Sequence, residues 1–536
     1  MYPPEQQEKQ HGSAVLEEDF TELEKKVSGA VPPQCHDGWM QRPTIYVVPG
    51  DLAAGNTDPY APAAVCIGPF FGRARRVTEG MAKLERYKWC CVRKLIVGRR
   101  RGPGPAGTGT RRQPPEPADW KPEVHAPLLR RCVDAMTSLL PRIRASYSIS
   151  SSMDTIDGGD NNAVLELKML LEPEDAAMDM GSTLAENMLL DGCFILHRLL
   201  KMARIAKRAR KEGGGSSDGG GDDDDDWTQV YGRCGVWGLV TRDLLLLNNQ
   251  IPLFVVRALL EQLKGSVDAD EGDDVLVDGG LQLFSSLHPR RLQLHQPSAL
   301  AVPVSLGDAH HLLHLFYMSI TNLPVPTQSS ASASMDKKLP PELTQWVPCA
   351  KELEDAGVRF RARKDGTATS FLDIKFSAGS GVLEIPPLQL YDYSEPLFRN
   401  LVAFEQTYPG TPGDVTAYAI FMDCLVKTSD DMRLLHRRGI LLNHMNGDRE
   451  AATEFFSRIC AGALASADRN YLAPLMDEVV TYQRGSWPQW RAVLLRDYFG
   501  SPWAVIAVVV AAVVVALTML QTFYALYAYY QPPKQS

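Results

Sequence analysis

"DLLLLNNQIPLFVVRALLEQL", Asp243 to Leu263, sets three consecutive side-chain amides and a proline inside a run that is otherwise almost wholly apolar. Pro252 has no N–H to give the carbonyl of Asn248, and its ring clashes there, so a helix through this stretch must end or kink near Ile251. The break leaves backbone amides and carbonyls in apolar surroundings, where each unsatisfied group costs on the order of 1–3 kcal/mol. Asn248, Asn249 and Gln250 each carry a donor and an acceptor that can satisfy such groups, while Leu244, Leu247, Val255 and Leu259 keep the flanking helices packed. A reaction site at the same place would need a titratable group to move protons, and an amide triplet has none. The stretch therefore reads as the repaired break of a buried helix, and the body around it as helical.

The composition supports such a body. The chain has 536 residues, 45% hydrophobic and 22% charged, enough apolar side chains for a large core. A net charge of −8 argues against a nucleic-acid coat over the whole surface. The ten cysteines form no C-x-x-C pair and no dense framework, a usage that fits a reducing compartment. Those inside apolar runs, Cys193 and Cys424 among them, read as small hydrophobes.

Helical spacing of apolar residues recurs outward from the amide stretch. "SAVLEEDFTELEKKV" places Leu16, Phe20, Leu23 and Val27 on one stripe, as in a docking helix. Further helices are expected in "MAKLERYKWCCVRKLI", "GSTLAENMLLDGCFILHRLLKMARI", "AHHLLHLFYMSI", "RNLVAFEQ", "AYAIFMDCLVKTSDDMRLLHRRGILL" and "DREAATEFFSRICAGAL". From Thr44 to Gly72, proline and glycine punctuate short β-branched runs, which predicts extended segments and turns. Strand alternation is convincing only in "FLDIKFSAGSGVLEIPPLQL", where Leu372, Ile374 and Phe376 share a face and Leu383 and Ile385 answer across a Gly/Ser turn. The expected fold is mainly α-helical with a small β-hairpin element, plus one C-terminal transmembrane helix.

That last helix is read from "WAVIAVVVAAVVVALTML", Trp503 to Leu520, which holds no charge and extends as an apolar run to about Tyr530. It exceeds the roughly 20 helical residues that cross a bilayer core. Trp503 at one end and Tyr524, Tyr527, Tyr529 and Tyr530 at the other suit the headgroup level. The N-terminal residues carry no apolar signal-peptide core. Arg484, Arg491 and Arg496 precede the span and only Lys534 follows, so the positive-inside bias predicts a tail-anchored protein with a cytosolic body; the plasma membrane is the expected location. The expected organisation is a tail with a short amphipathic helix at 1–43, a helical domain at 44–500, the membrane helix at 501–530 and a short tail at 531–536. Disordered loops are expected inside the domain at about 98–120, 206–227, 265–280 and 324–342, where Gly, Pro, Ser and like charges leave too little apolar area to offset ordering entropy.

Each motif that could carry chemistry has a plainer reading. Gly102, Gly104 and Gly107 spell G-x-G-x-x-G, but prolines between arginine clusters replace the strand and helix a dinucleotide loop requires. His310, His311 and His314 with nearby Asp308 could face a metal, yet the same spacing suits a half-exposed helix rim. Lys207, Arg208, Arg210 and Lys211, and Arg99 to Arg101 with Arg111 and Arg112, lack the interleaved aromatics of a base-stacking surface and read as solvated loops or lipid-headgroup contacts. Asp222 to Asp226 lack the Gly and terminal Glu of a calcium loop. No catalytic, cofactor-binding or metal-binding residue is assigned, and no cofactor is expected.

Taken in order, "AVCIGPFFG", "LLDGCFILHRLL", "DLLLLNNQIPLFVVRALLEQL", "AGVRFR", "RNLVAFEQ", "FMDCLV" and "SPWAVIAVVV" resemble the land-plant family called domain of unknown function 247, the UPF0481-like proteins. The family commonly has Glu where Asn248 stands, and a Tyr and histidines where "FFG" follows Gly68-Pro69. The resemblance implies a helical body with a C-terminal membrane helix, no established enzymatic activity and no known cofactor. Some grass members are associated with pollen self-incompatibility, which implies recognition. The expectation is a non-enzymatic membrane protein whose partners are the lipid bilayer, through the C-terminal helix, and an unidentified protein, with no nucleic acid. The competing expectation is a membrane-tethered enzyme, for which Asp191, Glu405 and Asp423 are the obvious carboxylates.

Overall fold

The computed structural model describes residues 43–53, 58–71, 78–98, 100–103, 110–113, 120–148, 178–211, 236–264, 274–289, 308–321, 346–363, 370–446, 452–464, 470–485 and 502–530. In chain order the helices of the first half are α1 (Glu79–Val97), α2 (Pro122–Ala145), α3 (Met178–Lys211), α4 (Val236–Asp243), α5 (Leu253–Leu263), α6 (Asp274–Leu283) and α7 (Leu312–Thr321), with strands β1 (Arg100–Pro103) and β2 (Thr110–Gln113) after α1. The second half runs α8 (Ala350–Asp355), β3 (Arg359–Ala362), β4 (Lys375–Ser377), β5 (Val382–Ile385), β6 (Leu388–Leu390), α9 (Ser394–Thr407), α10 (Asp414–Leu425), α11 (Ser429–Arg437), β7 (Leu441–Asn443), α12 (Phe455–Cys460), α13 (Ala473–Gln483) and α14 (Pro502–Tyr530). The fold is mainly α-helical with few short strands, as the sequence periodicity predicts.

Helix α3 is the axis of the first half. Every residue from Met188 to Lys201 is buried, and α1, α2, α5 and α6 pack around it. A helix buried all round needs partners all round. The closest approach is made by glycine: a Cβ on Gly279 of α6 would lie 2.2 Å from the Leu199 carbonyl oxygen. In the second half, Phe371 and Phe398 meet edge to face, Tyr418 stands over Phe371 with ring centroids 5.0 Å apart, and Phe455 and Phe456 extend the stack. One continuous apolar core joins the two halves.

The expected hairpin is present, with Phe376 opposite Leu383, and it gains a parallel neighbour: β3 pairs with β5 from Arg359↔Val382 to Ala362↔Ile385. β6 and β7 form a separate parallel pair.

Several elements differ from expectation. The helix before the amides ends at Asp243, not near Ile251, and 244–252 is a compact turn; Pro252 stands immediately before α5 with φ −62 and ψ 134, the extended geometry proline tolerates at a helix entrance. The expected helix from Ala417 to Leu442 is two helices, because Thr428 and Asp431 form a reciprocal capping box that starts α11 afresh. Within the expected loop at 98–120, β1 and β2 pair, with Arg101 opposite Arg112. Helix α3 continues to Lys211, into the loop expected from 206. The loop expected at 265–280 contains most of α6, whose Leu276 is fully buried and whose glycines are packing surfaces, not linker residues. The stripe Leu16 to Val27 and the loop at 324–342 lie outside the described residues.

Among the described residues, α14 is the helix long and apolar enough to cross a membrane, over Val509–Tyr527 with a mean hydropathy of 2.1.

Candidate functional site

The described residues of the segment 44–71 cross the helical body with almost no regular structure of their own: one turn at Asp58–Tyr60 and an isolated bridge, Ile45 to Tyr147. A buried backbone without helix or sheet must find its hydrogen bonds elsewhere. It finds them in side chains sent from the surrounding helices and turns.

Asn248 Oδ1 accepts from the Val48 amide at 2.8 Å. Asn249 Oδ1 accepts from the Ile67 amide at 2.6 Å, and its Nδ2 donates to the Val65 and Asp243 carbonyls at 2.9 and 2.8 Å. Gln250 faces the other way: Nε2 donates to the Leu244 and Leu246 carbonyls, and Oε1 accepts from the Leu313 amide of α7. Asn249 and Gln250 thus repair the break, as their chemistry predicts, whereas Asn248 is turned to Val48, and Asn248 and Asn249 together hold a second stretch of chain 180 or more residues away. The close contact has a cost in sequence freedom. Gly68 sits at φ +73, and a Cβ there would lie 2.4 Å from the Gln250 carbonyl oxygen.

Further side chains hold the same segment, among them Asp243, Lys88, Asn400 and Arg399. Asp243, at the end of α4, accepts from three successive amides, Ala63, Ala64 and Val65, on one carboxylate oxygen, and from Arg242 on the other. Burial pushes the Asp243 carboxyl upward, opposed chiefly by Arg242 and by the Ala64 and Val65 amides. Lys88, fully buried on α1, donates to the Cys66 carbonyl at 2.6 Å and to Asp191 at 2.7 Å. Asn400 of α9 donates to the Pro59 carbonyl and accepts from the Leu247 amide, and Arg399 donates to the Leu52 carbonyl. The signal for Lys88 is legible in hindsight: it falls on the stripe of Leu84, Tyr87, Cys91 and Leu95, where a cation requires a buried partner.

The three carboxylates of the enzymatic expectation are held by different partners. Asp191 is bound by Lys88 and by the Gly68 amide at 2.9 Å. Glu405 accepts from Tyr317 Oη, from the Val415 and Thr416 amides and from Thr416 Oγ1, so it caps the N-terminus of α10 from the preceding helix. Burial raises its carboxyl against those donors. Asp423 pairs with Lys427 and accepts from Ser457 near the surface.

The histidines also serve a helix end. His311 precedes α7 and its Nδ1 accepts from the His314 amide; His314 Nδ1 in turn accepts from the His310 amide, so two imidazoles cap the turn that starts the helix. Nε2 of His311 lies 3.1 Å from the Thr44 carbonyl. Both Nδ1 atoms act as acceptors, so both rings must be neutral. No group of three or more metal-ligating side chains exists among the described residues. Burial holds His314 down to about 4 and His311 well below the ordinary histidine range.

A pH dependence follows. Above about pH 6.5, folded and unfolded chains both hold these rings neutral, and the cap is intact. Below it the unfolded chain takes up protons that the folded chain refuses, so stability falls from about pH 6.5 toward 4. For His314 alone the loss amounts to about 3 kcal/mol by pH 4. Urea midpoints should therefore drop across this interval, and less steeply in His314→Gln, whose amide oxygen can still accept from His310. Equal slopes in the two proteins would show that the ring is not the titrating group.

A half-open cleft of about 370 Å³ lies between α11 and β7, floored by Met432 and Ala452 and rimmed by Ser429, Arg433, His436, Asn443 and Thr453. His436 Nδ1 is engaged by the Leu441 carbonyl, and Arg433 pairs with Asp430. Neither the amides nor the three carboxylates line it.

The described polar groups thus hold a chain segment in place. Two plant proteins are similar to this chain in sequence. UPF0481 protein At3g47200 of Arabidopsis thaliana is 26% identical over 371 residues, covering 66% of this chain and 70% of its own length. Putative UPF0481 protein At3g02645 of Arabidopsis thaliana is 23% identical over 365 residues, covering 53% of this chain and 67% of its own. No solved structure matches. The family model described as "Plant protein of unknown function" matches residues 45–517, from the first residues of the strapped segment into α14, and the chain belongs to that family, DUF247.

Proposed function

We propose that this chain is a single-pass membrane protein, held by α14 with its helical body in the cytosol, and that the body is a non-enzymatic protein-interaction component of signalling or recognition. The observation that carries the membrane reading is the 19-residue window Val509–Tyr527, none of which is buried against the rest of the protein. Apolar surface on that scale is unfavourable in water and favourable in lipid, and a helix satisfies its own backbone there. Arg484, Arg491 and Arg496 ahead of the helix favour a cytosolic body. The free thiols among the described residues, several of them buried, agree with a reducing compartment.

The interaction reading is supported by what the polar residues do. Asp191, Asp243, Glu405 and the amide triplet are occupied in holding backbone, an arrangement that makes a rigid body able to present a fixed surface. The enzymatic alternative would need two of Asp191, Glu405 and Asp423 to converge on a substrate, whereas each has its own set of partners. Carbonate washing of membranes tests the anchor: the full chain should pellet, and a chain ending before Pro502 should be released. Pelleting of the truncated chain would overturn the reading. Protease protection then reports the side on which the body lies.

A further inference from the structure

Helix α11 divides its faces between the core and the half-open cleft. Asp431, Leu434 and Leu435 are buried in the body, whereas Ser429, Met432, Arg433 and His436, spaced i, i+3, i+4 and i+7, share the face that walls the cleft. Two polar groups of the rim are oriented by backbone. His436 Nδ1 lies 3.0 Å from the Leu441 carbonyl, which can only accept, so the ring proton sits on Nδ1 and Nε2 carries a lone pair. Asn443 Oδ1 accepts from the Met445 amide at 2.9 Å, which leaves the Nδ2 protons as donors. Arg433 brings a permanent positive charge to the same rim. Its pair with Asp430 engages Nη1, and the two side chains are 58% and 66% exposed. An ion pair so open to water is worth little, so the guanidinium can turn its other N–H groups to an anion at small cost.

We propose that this cleft binds a small organic monocarboxylic acid with an apolar body. The carboxylate sits on Arg433, a hydroxyl or N–H of the ligand donates to His436 Nε2, and the apolar part lies over Met432 and Ala452. The inference goes beyond the protein-interaction reading and does not depend on α14. Size selects the ligand: at the ~30 Å³ that a molecule of liquid water occupies, 370 Å³ takes about a dozen non-hydrogen atoms. Charge selects it too. One guanidinium with Asp430 beside it balances a single negative charge, whereas a phosphate dianion would meet that carboxylate with too little positive charge to offset the repulsion. An apolar floor with a few fixed polar groups around it is the usual construction of a small-molecule site, and groups already oriented lose little freedom on binding.

Isothermal titration of the full chain in phosphatidylcholine nanodiscs, with empty nanodiscs subtracted, tests the site with para-hydroxyphenylacetate and its neutral amide as probes. The acid should bind once per chain with a Kd of about 1 mM or tighter, and the amide roughly tenfold more weakly. Arg433→Gln should bring the acid down to the affinity of the amide and leave the amide unchanged. Arg433→Lys, which keeps the charge and loses the planar fork, should fall between. Ser429→Trp, at an exposed position on the first turn of α11, should fill the cleft and abolish binding of both probes. Urea midpoints equal to wild type distinguish these losses from unfolding. No saturable binding of the acid up to about 10 mM would overturn the site. An acid bound no more tightly than the amide, or one that Arg433→Gln does not weaken, would overturn the carboxylate assignment. Binding that survives Ser429→Trp would place the ligand elsewhere and overturn the cleft as its site.

Discussion

Asn249→Leu is expected to destabilise the protein by roughly 3–6 kcal/mol, a large part of the ~5–15 kcal/mol that holds a typical fold together. Leucine nearly matches the amide in size, so the loss is one of hydrogen bonds and not of packing. Three backbone groups lose their partner at once: the Ile67 amide and the Val65 and Asp243 carbonyls. All lie where water cannot replace it, since Asn249 is 1% exposed, and each stranded group costs on the order of 1–3 kcal/mol. Asn249→Asp keeps the acceptor for Ile67 but no longer donates to either carbonyl, so it should fall between wild type and leucine. Urea denaturation gives the magnitude. Limited proteolysis gives the location, because the segment 44–71 should be cut first. A leucine variant within about 1 kcal/mol of wild type would show that these contacts do not hold the segment.

Lys88→Met is expected to cost about 3–5 kcal/mol, through a different mechanism. Lys88 and Asp191 are both fully buried with their charged atoms 2.7 Å apart. Methionine fills much the same space and leaves the Asp191 carboxylate, which also accepts from the Gly68 amide, in the core without the ammonium that pairs with it. The Cys66 carbonyl loses its donor as well. Combining Lys88→Met with Asp191→Leu removes the stranded charge, so the double variant should be more stable than the sum of the single losses predicts, by about 2 kcal/mol or more. Additive losses would mean that the two groups do not interact across the core.

Both substitutions act on one feature, the attachment of 44–71 to the helices, and the two halves of that attachment were unequally visible in the sequence. The amides announced themselves because they interrupt an apolar run beside a proline. Their partners did not, because Val48 and Ile67 lie about two hundred residues earlier in the chain. Asp243 looks ordinary in sequence, and Lys88, although it falls on an apolar stripe, names no partner there. Only packing turns them into buried anchors. The histidines illustrate the same limit, since spacing alone suits a metal site or a helix rim equally well, and the choice between them lies in what each Nδ1 accepts.

The helical character of the body, the hairpin at 375–385 and the apolar C-terminal helix were determined by the sequence itself, because periodicity and length are local properties that water or lipid reads directly. The end of α4 at Asp243, the parallel strand β3, the helix α6 where a loop was expected, and the set of side chains that hold 44–71 were decided only in the tertiary structure. Each depends on a partner far away in the chain. A buried backbone group is satisfied by whichever side chain the packing brings within about 3 Å, and that proximity is a property of the folded core.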